Sequence, residues 1–264
     1  MTTAALGRTA PVPAERPFHD TWHVFVREMR PALRDPFSVI FSLLQPLVFL
    51  GLFGPLLIGS SGAPASETLA WFVPGILAMT VLFGASGTGS NLLFEMQTGS
   101  HERTLVAPVS RSALLVGRAL KEIAPTIVQA LLIVAVTFPF GFRASLPGLL
   151  AGLVLLALFG MGLGAFSYTL ALASAKKDWM FWAVQQTLIF PLMILSGMLL
   201  PLSEAPAWMR AVAVANPISH IVSAEHALLD GALLTPAVLK GFTAALLLAA
   251  AGLALGIRTM RRQH

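Results

Sequence analysis

The chain has no cysteine and a single tyrosine among its 264 residues, and only 11% of its side chains are charged. Without cysteine there is no disulfide, no thiol nucleophile and no Cys-bearing metal site. Ordinary soluble domains carry roughly 25% charged residues, so a chain that is 56% hydrophobic and this poor in charge falls outside the soluble class. Charge is missing altogether from six windows, 37–66, 68–94, 123–142, 144–175, 179–203 and 241–257. A helix rising about 1.5 Å per residue needs about 20 apolar residues to cross about 30 Å of hydrocarbon. Five windows reach that length and the last, at 17 residues, nearly does. Runs such as 149–158 are apolar on every side, which excludes the alternating strands of a membrane β-barrel. The first 36 residues hold no apolar run of signal-peptide type, which predicts that no leader is cleaved.

A pI near 10.4 invites a nucleic-acid reading, but membrane topology accounts for it. With six spans and an inner N-terminus, 14 of the 17 Lys and Arg residues fall on inner segments, and only Arg143, Arg210 and Lys240 lie outside. The positive-inside rule demands such a bias. The expectation is therefore a multi-pass membrane protein with both termini cytoplasmic and no nucleic-acid partner.

Residues 1–17, small, polar and Pro-containing, read as a disordered cytoplasmic tail. Over 18–36, Phe18, Trp22, Phe25, Val26, Met29 and Leu33 recur at helical spacing among Arg27, Glu28, Arg30 and Arg34. That pattern predicts an amphipathic helix lying at the membrane surface. Residues 37–258 then form an all-α membrane domain with six spans expected near 37–58, 71–94, 119–140, 148–173, 179–200 and 237–257, followed by a tail over 259–264. Between the fifth and sixth spans, the apolar stretch 211–224 is too short to cross and is broken by Asn216-Pro217, which predicts an outer re-entrant hairpin. Gly84, Gly87 and Gly89 in the second span, and Gly160, Gly162 and Gly164 in the fourth, are expected to let helices approach closely.

Chemistry-bearing motifs are few. Gly84-Ala85-Ser86-Gly87 matches the G-x-S-G pattern of rhomboid intramembrane proteases, whose serine needs a histidine from a later span. The histidines, at 19, 23, 101, 220, 226 and 264, all lie outside the expected spans, so a serine protease using Ser86 is the weaker alternative. His101-Glu102 opens an H-E-x-x-H zinc pattern, but position 105 is leucine. Ion-coupled transporters keep ionisable residues near the bilayer midplane, and the expected span interiors have none, Glu122 standing near an end. No Gly-Lys-Ser/Thr phosphate loop exists either, since Lys121, Lys176, Lys177 and Lys240 follow Leu, Ala, Lys and Leu. Transport driven by ATP would need an ATPase on another polypeptide.

The inner stretch after the second span carries a resemblance. Glu95, then Gly99-Ser100-His101-Glu102-Arg103-Thr104-Leu105-Val106-Ala107-Pro108-Val109-Ser110-Arg111, then Gly117-Arg118, is similar to a block of type-2 ATP-binding-cassette exporter permeases. That block reads as an acid, G-T-L-E-R-L-x-x-[ST]-P-[VI]-S-R and G-[KR]. A second block also resembles the family: Leu195-Ser196-Gly197, Pro201, Pro206, Trp208, Asn216-Pro217-Ile218-Ser219 and Leu228-Leu229-Asp230-Gly231. The likeness runs from about 18 to 262, and drug-resistance and antibiotic-export members are the nearest in type. Departures are His101 and Ala107 within the first block, and Glu225-His226 where many members have an apolar residue and an arginine.

The resemblance implies a permease subunit that has no ATPase site, binds no cofactor itself and leaves ATP and Mg to its partner. Two ATPase subunits and a second permease copy, identical or paralogous, are the implied protein partners, within a lipid bilayer. The cargo would be a hydrophobic or amphipathic solute moved outward. ATPase coupling is expected at Glu95, Gly99, Glu102, Arg103, Leu105, Pro108 and Arg111, with Trp22, Phe25, Arg27 and Arg30 on the interfacial helix. The substrate path is expected at Gln45, Asn91, Phe94, Gln185 and Gln186. The outer gate is expected at Gly197, Pro201, Trp208, Asn216 and Pro217.

Overall fold

The computed structural model describes residues 17–34, 36–100, 111–175 and 177–261. They form helices α1 (Pro17–Arg34), α2 (Pro36–Ser61), α3 (Ala65–Gln97), α4 (Arg111–Lys121), α5 (Ile123–Thr137), α6 (Leu146–Ala173), α7 (Asp178–Ile194), α8 (Ala207–Ala215), α9 (Pro217–Leu229) and α10 (Pro236–Arg261). Four stretches are long and apolar enough to cross a membrane: Ala65–Gln97, Leu114–Phe140, Leu146–Ala173 and Pro236–Met260. They coincide with the second, third, fourth and sixth expected spans. In α2 the apolar stretch Leu44–Ser60 is shorter. The fifth expected span, 179–200, is helical only to Ile194, because Gly197 adopts φ +77 and turns the chain.

α3, α6 and α10 pack side by side, with α9 wedged among them. Phe72, Ile76, Leu155, Phe159, Ile221 and Ala245 form the center of one apolar cluster. Leu92, Leu115, Tyr168, Phe181 and Met260 form a second cluster toward the opposite end. Glycines set several of the close approaches. A Cβ on Gly162 would stand 2.8 Å from the Ala249 amide nitrogen of α10, and one on Gly89 would stand 2.5 Å from the Ser167 carbonyl of α6. Gly160 and Gly164 also face neighbors, whereas Gly87 meets nothing within 4 Å and Gly84 only Gln129 at 3.9 Å. The expected packing role holds for the fourth-span glycines and for Gly89, but Gly84 and Gly87 lie on an open face.

The third span begins earlier than expected, as α4. The helix breaks at Glu122 because Pro125 has no N–H to offer the Lys121 carbonyl, which leaves a joint between α4 and α5. α1 packs on α4, with Val24 buried between them and Gly117 making room for it. The side of α1 that meets α4 carries Thr21, Val24 and Glu28, beside the expected lipid-facing stripe, of which Trp22 is 61% exposed and Phe25, Val26 and Met29 are half-buried.

Candidate coupling site

A cluster of charged and polar groups joins α1, α3, α4 and α6 at the end of the molecule where α3 stops. Arg118 of α4 is buried. Its Nε lies 3.4 Å from Glu28 Oε1 and its Nη2 donates to Glu95 Oε2. Lys121 Nζ stands 3.7 Å from Glu28 Oε2, and the guanidinium carbon lies 5.4 Å from the Tyr168 ring centroid on α6. One turn on, the Thr88 hydroxyl of α3 donates to Glu122 Oε1 at 2.6 Å. Just past Glu95, Gln97 Nε2 donates to Asp178 Oδ2 at 2.5 Å, tying α3 to the start of α7. A planar guanidinium suits this position because it serves two carboxylates at once from a fixed fork. Breaking such a buried pair costs far more than breaking an exposed one, since it strands a desolvated charge.

Of the expected coupling residues, Glu95 is half-buried in this cluster. Gly99 turns the chain after α3 with φ +68, and its N–H donates to the Met96 carbonyl. Arg111 begins α4. Glu102, Arg103, Leu105 and Pro108 lie outside the described residues. Glu28, Arg118 and Tyr168 were missed as site residues, although Gly117-Arg118 ends the first family-like block and Glu28 falls one helical turn after Val24.

The interfacial-helix residues Trp22 and Phe25 have ring centroids 5.5 Å apart, while Arg27 and Arg30 are exposed. Gln45, Asn91, Phe94 and Gln186 are exposed, and Gln185 is half-buried. They lie on α2, α3 and α7. Asn91 and Phe94 continue an open stripe of α3 that contains Gly84 and Gly87 at spacings of three and four. Gln185 lines an apolar cavity of about 490 Å³ with Ser86, Ser167, Leu188, Pro217 and Leu248, and its enclosed Oε1 has no hydrogen-bond partner among the described residues. Ser86 donates its hydroxyl to the Leu82 carbonyl at 2.8 Å, as a serine on a packed helix does.

Among the expected outer-gate residues, Asn216 ties α9 to α7. Its Oδ1 caps α9 by accepting from the Ile218 amide at 3.0 Å, and its Nδ2 donates to the Leu192 carbonyl of α7 at 3.1 Å. Pro217 occupies the first turn of α9, where its missing N–H costs nothing. Pro201 and Trp208 are exposed, while Gly197 makes the turn already described.

Long apolar helices packed about the short α9, with an ionic cluster at one end, define a multi-pass membrane protein. Residues 19–228 match the ABC-2 type transporter family. The chain belongs to that family, and as one of its membrane permeases it lacks an ATPase site. It is 26% identical over 198 residues, 74% of this chain and 70% of the relative, to the daunorubicin resistance ABC transporter permease protein DrrB1 of Streptomyces coeruleorubidus. The putative transport permease ycf38 of Cyanophora paradoxa is 30% identical over 197 residues, 72% of this chain and 67% of its own. The probable doxorubicin resistance permease DrrC of Mycobacterium tuberculosis (strain ATCC 25618 / H37Rv) is 25% identical over 210 residues, 78% and 75% respectively.

Proposed function

We propose that the chain works as a dimeric six-span exporter subunit whose movement is driven by two ATPase subunits docked on the end that carries Glu95 and Arg118. In this reading α2 and α7 also cross the bilayer, both termini are cytoplasmic, and α8 and α9 form a re-entrant hairpin that closes the outer exit. The observation that carries it is the bridge made by Arg118 between Glu28 of α1 and Glu95 of α3. It sits where segment 99–111 leaves α3, so a push on that segment reaches the interfacial helix and the second span together. Mixed charges at Glu102, Arg103 and Arg111 beside Leu105 and Val109 suit insertion into a partner's groove.

The cargo is a hydrophobic or amphipathic drug-like solute. Relatives named for daunorubicin and doxorubicin resistance support that class, as does the apolar cavity with the unpartnered Gln185 carbonyl. Asn91 and Phe94 face the path or the second copy from the open stripe of α3. ATP and Mg reside on the partner, and this chain binds neither.

The test is co-purification with the ATPase encoded beside it, then drug-stimulated ATP hydrolysis in proteoliposomes. Glu102→Lys or Leu105→Asp is expected to abolish co-purification while membrane insertion is kept. Arg118→Met is expected to co-purify and to lose drug stimulation. Wild-type recovery of the ATPase with both segment variants would overturn the docking reading.

A further inference from the structure

Glu225 lies on α9, 1% exposed, and neither of its carboxylate oxygens has a hydrogen-bond partner among the described residues. The space for it is made by a missing side chain: a Cβ on Gly152 of α6 would stand 2.6 Å from Glu225 Oε1. Gly148 of the same helix admits the Leu228 carbonyl, and Gly241 of α10 admits Ala224, so α9 is seated between α6 and α10 on glycine notches.

The surrounding charge does not balance the carboxylate. α6 has no charged residue, and α3 has only Glu67 at its near end and Glu95 at the far one. α10 offers Lys240, with Arg258 and Arg261 at its far end, and α8 offers Arg210. Arg210 donates to the carbonyls of Ser203 and Ala205. On and just after α9, His220 contacts the Val214 carbonyl, His226 stacks on Trp71 at 6.3 Å, and Asp230 follows the helix. Glu225 forms no ion pair with any of these among the described residues, and burial alone acts on its protonation. A fully buried ionised carboxylate with no counter-charge or donor among the described residues is strongly disfavored, so the seated helix holds the acid form.

We propose that Glu225 is a proton-binding site that latches the hairpin: the neutral carboxyl is held against Gly152 while α9 is seated, and is ionised when α9 lifts. On lifting, the O–H bond breaks, its electron pair stays on oxygen and the proton passes to water. By linkage, each pH unit above the ordinary carboxylate range then favors the lifted state by up to about tenfold. This rests on the reading of α8 and α9 as the exit gate only for its meaning in transport, since the latch itself needs neither ATPase nor cargo.

The absence of native cysteine makes the latch measurable on the full chain. Single cysteines replace Val222, which is buried on α9, and Val214, which is exposed on α8. Both variants are placed in nanodiscs without ATPase or drug and treated with a membrane-impermeant thiol reagent. The ratio of the Val222→Cys rate to the Val214→Cys rate is expected to rise about tenfold or more from pH 5.5 to 7.5, and to stay flat when Glu225→Gln is added. The rise is expected to survive His226→Asn. Ile218→Cys, also buried on α9, gives a second reading should Val222→Cys fold poorly. A flat ratio in the parent, an equal rise with Glu225→Gln, or loss of the rise with His226→Asn overturns the proposal. Failure of export or docking in the proteoliposome assay would leave these rates unchanged, so the two readings fail separately.

Discussion

Arg118 and Glu28 meet at 3.4 Å across the α4–α1 contact, with both side chains largely withdrawn from solvent. The same guanidinium serves Glu95, so removing it strands two carboxylates. Arg118→Met is expected to destabilise the permease on the order of 3 kcal/mol, and Glu28→Gln by less, because Arg118 keeps Glu95. A double-mutant cycle on thermal unfolding in detergent checks it, and strictly additive losses would show that the pair does not couple.

The glycines divide by their neighbors. Gly148→Ala puts a methyl into the Leu228 carbonyl of α9 and should cost about 1–3 kcal/mol or unseat the hairpin. Gly87→Ala meets open space and should leave the melting temperature unchanged or slightly raised. Equal effects from the two would refute the close approach at Gly148.

Asn216→Ala removes both the cap on α9 and the tie to Leu192. Loss of a cap costs about 1 kcal/mol. Limited proteolysis should therefore cut between α8 and α9 faster than in the parent, and Asn216→Asp, which keeps the capping oxygen, should recover part of the protection.

Burial pushes the Glu225 carboxyl up to about 8, against about 4.3 in an unfolded chain. The folded state binds the extra proton between those values. Its stability from this group is full below about pH 4 and falls as pH rises to about 8, by up to about 1.4 kcal/mol per unit. His226 acts oppositely, since burial lowers its pKa and its contribution is lost as pH drops through the usual imidazole range. The melting temperature of Glu225→Gln minus that of the parent should therefore grow from pH 5 to 8, whereas a constant difference would contradict the shift.

Much of the architecture was readable from local pattern. Charge-free windows located the four long apolar helices because lipid leaves a helix no other place for charge, and Asn216-Pro217 marked the break between α8 and α9 because cap and ring act within one turn. Gly197 closed α7 six residues early, a stop the apolar window could not register, since hydropathy does not encode φ. The period of α1 gave its apolar stripe but not its contact with α4, since Val24 lies beside that stripe and a single buried residue sets no period. Arg118, Glu28 and Glu95 lie on three helices far apart in sequence, and no periodicity links such partners. The roles of Gly87 and Gly89 differ only through what stands opposite them, which composition does not record.

The joint at Glu122 has a mechanical consequence. Because Pro125 denies the Lys121 carbonyl its helical donor, the line of α4 and α5 lacks one rung of its ladder at Glu122, which keeps helical dihedrals, while Thr88 pins that residue to α3. A force on the α1–α4 pair would then have a second, sideways route into the bundle, along the neighboring 33-residue helix α3.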